Sequence, residues 1–300
     1  LNKDSEKYFN KGIDALDEGN WLLAVQHFRK CIEIDPANSS AYHELADIYY
    51  SNGQLDAALE VLKLAIVSDP NDKDANFALG NIYVAQGKHQ EALRVFKRLE
   101  HEAPEYSPEL HYNIGVCYKS LGFPDMAFEY LRMALEEDPS YYECLEVMGK
   151  LHLEAGNLEE SEKSYRELLE SDPANINAHH MLGIIHSRRL DWEKAISEWE
   201  TVLKMAPDMD EAQRELGWAF NMSGDYEKAV TALKRAIEMN PHNLQARIDL
   251  GAVFMSNYKF EEAVNAWEEA RRDDPGNQLI KKFISDAQAL KISKEGKGKE

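Results

Sequence analysis

Residues 210–243 read DEAQRELGWAFNMSGDYEKAVTALKRAIEMNPHN. Two apolar stripes of helical period lie in this stretch, one through Leu216 and Phe220, the other through Tyr226, Ala229, Leu233 and Ala236. Gly224 stands between them, where the left-handed conformation that closes a helix carries no Cβ penalty. Pro241 forbids continuation of the second helix, and the small residues Gly217 and Ala229 let the two axes approach closely. The stretch therefore predicts a helix–turn–helix unit.

The same unit recurs along the chain. Prolines fall at 36, 70, 104, 139, 173, 207, 241 and 275, separated by 34 residues except for one step of 35. With Ser5 as position 1, position 8 reads Gly12, Ala46, Gly80, Gly115, Gly149, Gly183, Gly217 and Gly251. Position 20 is Ala24, Ala58, Ala92, Ala127, Ser161, Ala195, Ala229 and Ala263, and position 15 is glycine in six of the eight units. A fixed period of this length implies a stacked array in which each unit covers its neighbour. The repeats are predicted at 5–38, 39–72, 73–106, 108–141, 142–175, 176–209, 210–243 and 244–277, within a repeat region of 1–277. A C-terminal capping helix follows at 278–292, with Leu279, Ile280, Phe283, Ile284, Ala287 and Leu290 on one face, and 293–300 is expected to be a disordered tail.

This pattern resembles the tetratricopeptide repeat (TPR) family, which shares the 34-residue period, Gly or Ala at 8, Ala at 20 and Pro at 32. Aromatic columns agree: Tyr49, Tyr83, Tyr118, Phe220 and Phe254 at position 11, and Phe28, Phe96, Tyr165, Trp199 and Trp267 at position 24. The resemblance implies an all-α, right-handed superhelical α-solenoid of helix–turn–helix repeats, with the first helices on the concave side. Three departures stand out. Lys11 and Ala15 make repeat 1 atypical, as suits an end of the array. Leu190 and Tyr258 replace the turn glycine, so those turns are built differently or carry strain. One extra residue lies in the segment Ala103-Pro104-Glu105-Tyr106-Ser107-Pro108, either absorbed in the turn or acting as a hinge.

Composition narrows the function. Fifty-four acids against 34 basic residues give a net charge of −20, which argues against a nucleic-acid backbone or an anionic membrane as partner. Apolar runs are too short to span a bilayer, so no direct membrane insertion is expected. Cys31, Cys117 and Cys144 are scattered and odd in number, which fits reduced thiols and a cytoplasmic location; a periplasmic one stays open if a signal was removed ahead of Leu1. No catalytic, cofactor-binding or metal-binding residues are predicted. The ten histidines include no pair at i, i+4 that would chelate a metal, and His152, His179 and His186 sit where the family places packing side chains. Positions 8 and 15 absorb 13 of the 16 glycines, which leaves no phosphate-binding loop. The repeats leave no stretch for a catalytic domain.

The family resemblance makes positions 2, 5, 6, 9, 12 and 13 the groove residues. They include twelve acids, Glu6, Asp17, Glu44, Asp47, Asp74, Glu109, Glu143, Glu146, Glu154, Glu211, Glu215 and Asp249, against Lys119, Lys150, Arg188 and Arg214. Large apolar residues share the columns: Phe77, Tyr112 and Val116, then Met181, Ile184, Trp218, Met222, Ile248 and Met255. Trp218, flanked by methionines and outside the packing columns, reads as a binding anchor or as filling between repeats. Asn81 and Asn113 match two asparagine places of the clamp with which some TPR proteins hold a chaperone's terminal carboxylate. Phe77, Glu143 and Val147 occupy its basic places, so that ligand is disfavoured.

The sequence thus points to a non-enzymatic scaffold or adaptor holding a protein or extended peptide, net basic with apolar anchors, in an acidic groove. Self-association into a scaffold or coat, and service as the substrate-presenting arm of a larger enzyme, are the alternatives.

Overall fold

Helix ends follow from short polar side chains placed at fixed points of the period. Asn38, Asp72, Asn175 and Asn243 close one repeat, and each side chain accepts from the backbone N–H three residues on, at 2.9–3.1 Å. Asn20, Asp191 and Asp225 do the same for second helices, at 3.2–3.4 Å. Each such cap contributes about 1 kcal/mol. The computed structural model describes residues 3–102 and 108–297, with side chains through 292. Seventeen helices, joined by short turns, lie among the described residues.

The chain divides into two compact units, 1–151 and 152–300. Unit 1 contains α1 (Lys3–Asp17), α2 (Trp21–Ile34), α3 (Ser39–Ser51), α4 (Leu55–Ser68), α5 (Lys73–Ala85), α6 (His89–Glu102), α7 (Pro108–Ser120), α8 (Pro124–Glu137) and most of α9 (Glu143–Glu154). Each helix from α1 to α7 packs on the next, and the first helices α3, α5 and α7 also touch in succession. Unit 2 contains α10 (Leu158–Ser171), α11 (Ile176–Arg188), α12 (Trp192–Met205), α13 (Asp210–Met222), α14 (Tyr226–Met239), α15 (Leu244–Ser256), α16 (Phe260–Asp273) and α17 (Gln278–Lys297).

The cores are built from the repeat columns. Ala24, Ala58, Ala92 and Ala127 in unit 1, and Ala195, Ala229 and Ala263 in unit 2, are fully buried. So are Phe28, Leu62, Phe96 and Leu131, with Trp199 and Leu233 in unit 2. Large position-24 side chains lie over the glycines at position 8: a Cβ on Gly12 would stand 2.6 Å from the Phe28 ring, and one on Gly183 2.6 Å from the Trp199 ring. A bare glycine is what lets the ring lie against the helix backbone.

Leu190 and Tyr258 adopt φ of +61° and +60°, beside +70° to +89° for the turn glycines. Their hydrogen bonds are those of the glycine turns as well. Leu190 N–H donates to Ser187 O at 3.0 Å and Asp191 N–H to His186 O at 2.9 Å, as Gly19 N–H does to Leu16 O and Asn20 N–H to Ala15 O. Of the two expected ways to build these turns, strain is the one observed. The left-handed conformation costs an L-residue roughly 1–2 kcal/mol, and the exposed Leu190 side chain returns little of it by packing. Glycine there enlarges unfolded-state freedom, which offsets part of the relief by about 0.4–1 kcal/mol. Leu190→Gly is therefore expected to raise stability by about 0.5 kcal/mol in urea unfolding. A lower midpoint would contradict the strain argument.

Ile280, Ile284 and Ala287 of α17 are buried against Ala263, Trp267 and Ala270 of α16, with the Trp267 and Phe283 rings 5.2 Å apart. Two features depart from expectation. Leu279 and Leu290 are exposed, because contact is confined to the narrow stripe 280–283–284–287 and α16 begins only at Phe260, where Lys291 Nζ reaches Glu261 at 3.4 Å. The helix also runs to Lys297, five residues beyond the expected end at 292; Lys294, Glu295 and Lys297 propagate an existing helix at little cost, against roughly 1 kcal/mol for Gly296. Residues 298–300 of the expected tail, and 103–107 of the insertion, lie outside the described residues.

Candidate functional site: the first-helix face

In unit 1 the touching first helices α3, α5 and α7 enclose a cavity of about 230 Å³, open to solvent. Asp47 and Tyr50 come from α3, Asn81 from α5, and Glu109, Tyr112 and Asn113 from α7. Tyr141, on the segment before α9, closes one side. Tyr112 and Tyr141 meet edge to face, centroids 5.3 Å apart and planes at 73°, so their rings form a corner. Asn113 Nδ2 donates to Asn81 Oδ1 at 3.1 Å, which orients both amides and leaves the Asn81 N–H₂ and the Asn113 carbonyl for another partner.

The electrostatics of this face are negative. Among the described residues neither Asp47 nor Glu109 is in an ion pair. Partial desolvation pushes the Asp47 carboxyl above the usual carboxylate range, with nearby His43 acting the other way. Burial raises Glu44 too, and Asp47 adds to it. The Tyr112 phenol is raised by burial, with Cys144, Glu143 and Glu146 adding to it; Tyr141 is raised by burial and by Glu109 and Glu143. Cys117 and Cys144 are pushed up to about 12 by burial, so neither supplies a thiolate near neutral pH.

Of the sequence-predicted groove residues in this unit, Asn81, Tyr112 and Asn113 come together at the cavity. Phe77 is half-buried and tilts against the Phe96 ring at 5.7 Å, so part of its surface serves the core. Val116 is half-buried, Glu146 half-exposed and Glu143 exposed. None of the three lines the cavity, and the two acids act on it through their field. Tyr50 and Tyr141 were not anticipated. Tyr50 stands in a groove column, and its aromatic character was the available signal; Tyr141 lies at the last position of its repeat, where the column pattern gives no sign.

Unit 2 uses its first-helix face differently. Arg214 Nη1 donates to Asp249 at 2.9 Å and its Nη2 bonds Glu215, while Gln245 Nε2 adds a second bond to Asp249 at 2.7 Å. Glu215 is nonetheless held above its ordinary range, because burial outweighs the pairing with Arg214. Two acids assigned to the groove thus share one internal guanidinium, and Glu211 stays exposed. Trp218 and Met181 are half-buried and Met222 is exposed. Ile184 packs on the cluster around Trp199, and Ile248 and Met255 pack on the cluster shared with α17, so these three partly fill seams.

Residues 71–283 match the family model described as the cilia and flagella-associated protein 70 C-terminal domain, and 15–82 match a tetratricopeptide repeat model. No curated protein matches the chain. Among solved structures, a tetratricopeptide repeat protein from Parabacteroides merdae is 19% identical, with a TM-score of 0.60 over 83% of this chain and 98% of that one. The C-terminal part of a TPR protein from Cytophaga hutchinsonii is 16% identical, with a TM-score of 0.66 over 80% and 98%. A chain of the APC/C hetero-tetramer Cut9–Hcn1 is 16% identical at a TM-score of 0.61, and the match spans 91% of this chain but only 55% of that one. At these identities the likeness is one of fold. No described helix is long and apolar enough to cross a membrane. Columns, helix pairs and family model agree that the chain belongs to the tetratricopeptide repeat family.

Proposed function

We propose that this chain is a non-enzymatic scaffold or adaptor that holds a peptide or protein segment along its first-helix face. The observation that carries the reading is the open cavity on α3, α5 and α7, where two mutually oriented asparagines, a tyrosine corner and two unpaired carboxylates face outward. Asparagine amides suit the backbone of an extended segment, and the carboxylates suit a basic one. Trp218 and the exposed Met222 supply apolar surface in unit 2, and the exposed side of Phe77 does so in unit 1. With two or three anchors at roughly 1.5–3 kcal/mol each, less the entropy of ordering the segment, a single segment binds no more tightly than a Kd of about 1 μM.

Affinity capture from native lysate, run beside a Phe77→Ala, Trp218→Ala double variant of matched melting temperature, tests this. A protein retained by the wild type and lost by the variant is the expected result. Retention by both proteins argues against this face. Recovery of nothing but the chain's own native copy, unaffected by the substitutions, favours self-assembly.

A further inference from the structure

The cavity on α3, α5 and α7 has a composition that selects its occupant. At about 230 Å³ it is smaller than the roughly 300–1,000 Å³ of small-molecule sites. It is of a size for one side chain. Its ionic lining consists of Asp47 and Glu109, with no basic residue among the lining side chains, so an anion would be repelled by both charges and offered only neutral donors. Ala46, Leu62, Ala78 and Ile82 supply apolar wall that suits the methylene stem of a long side chain, but a wholly apolar side chain would strip water from both carboxylates and from the free Asn81 and Asn113 groups without replacing any hydrogen bond, which is costly. A cation meets none of these objections. Carboxylates line the cavity, the free Asn113 carbonyl can accept from the cation, and the rings of Tyr50, Tyr112 and Tyr141 stand beside it, with a quadrupole that attracts positive charge placed over a ring face.

We propose that this cavity receives one basic side chain, lysine or arginine, of a bound protein segment. The proposal rests on the reading of the first-helix face as a binding surface and adds to it a subsite and the chemistry of its ligand. The subsite falls in unit 1 for an electrostatic reason. In unit 2 Arg214 already stands between Glu215 and Asp249 and bonds both, so a cation of the protein itself fills the corresponding place. Asp47 and Glu109 have no such partner among the described residues. His43 near Asp47 is itself engaged with Asp72, Nε2 to Oδ2 at 3.0 Å.

The test uses the full chain with ¹³C-labelled tyrosine rings, titrated with N-acetyl-lysine N-methylamide, N-acetyl-arginine N-methylamide and the neutral N-acetyl-norleucine N-methylamide. The two cationic probes are expected to shift the Tyr50, Tyr112 and Tyr141 resonances with a Kd of about 1 mM, weakening as salt is added, while the neutral probe shifts none of them. Asp47→Asn, Glu109→Gln should weaken cation binding about tenfold with an unchanged circular dichroism spectrum. Tyr112→Leu, which keeps an apolar wall and loses the ring face, should weaken it severalfold. Equal binding of the neutral probe, undiminished binding by the carboxylate variant, or shifts confined to other tyrosines would overturn the assignment. Spermidine binding far more tightly than either amino acid would assign the cavity to a free polyamine instead. Because the capture experiment probes Phe77 and Trp218, neither of which lines this cavity, loss of the subsite and loss of the binding face are separable outcomes.

Discussion

Trp199→Ala is expected to lower stability by about 3–5 kcal/mol, the usual cost of emptying a fully buried tryptophan site. Gly183→Ala, opposite it, is expected to cost up to about 2 kcal/mol net. Alanine is the better helix former by roughly 1 kcal/mol, but its Cβ would stand 2.6 Å from Trp199 Cε2 and Nε1, and a ring with no exposed surface has nowhere to move, an overpacking penalty of about 1–3 kcal/mol. The two positions are complementary in size. Repeat 2 carries Ala46 with Leu62 at these columns, so Trp199→Leu added to Gly183→Ala should recover part of the loss. A urea-unfolding double-mutant cycle should give a coupling energy of at least about 1 kcal/mol. Strict additivity would show that the glycine column does not exist to admit the ring.

His186→Phe is expected to stabilise the protein by about 1–3 kcal/mol at neutral pH, the cost of leaving buried polar groups unpaired. His186 is 1% exposed, and both its ring nitrogens lack a hydrogen-bond partner among the described residues. Its nearest charge is Glu162, 4.0 Å from Nε2. Burial holds its pKa below the ordinary histidine value; Glu162, Glu198 and Asp191 act in the opposite direction, and Arg166 acts with burial. A base with a depressed folded pKa binds its proton more weakly in the native state. Its contribution is therefore fully present above pH about 6.5 and is lost as pH falls below that, by up to about 1.4 kcal/mol per pH unit until the folded pKa is reached. The gain from His186→Phe should consequently widen between pH 7.5 and pH 5. His152 and His180, depressed by the same cause, stay in the variant, so some loss with acid persists. Raised Glu44, Asp47 and Glu215 contribute the opposite slope in both proteins and cancel in the comparison. A gain that is constant with pH would show that His186 is not held neutral. Phenylalanine is a conservative choice, since Tyr49, Tyr83, Tyr118, Phe220 and Phe254 fill the same column.

The repeat was legible because its determinants are local or separated by one period. Asn38 and Asp72 cap the helices that follow them, and glycines such as Gly19 and Gly224 turn the chain with φ of +73° and +89°. Gly12 and Gly80 accept the rings of Phe28 and Phe96 sixteen residues later. Each rule involves a backbone preference or a steric fit between two columns, so residue identity and spacing express it in full.

The site was legible only in part. Column analysis placed Asn81, Tyr112, Asn113, Asp47 and Glu109 on one face, but it did not find Tyr141, whose position depends on the path of the segment between α8 and α9. Counting acids treated Glu215 and Asp249 like Asp47, although Arg214 bonds the first two and leaves Asp47 to the cavity. The sequence left the turns at Leu190 and Tyr258 with two solutions. The closing hydrogen bonds to His186 and Phe254 show that flanking helix packing imposes the glycine geometry on residues that disfavour it. By itself, then, the sequence determined the helices, their pairing and which columns fill the core, because those follow from backbone preference and period. Only the tertiary structure decided which charges are neutralised, which turns are strained and which side chains meet around one cavity, because these depend on side chains brought together from several repeats and on the desolvation that follows.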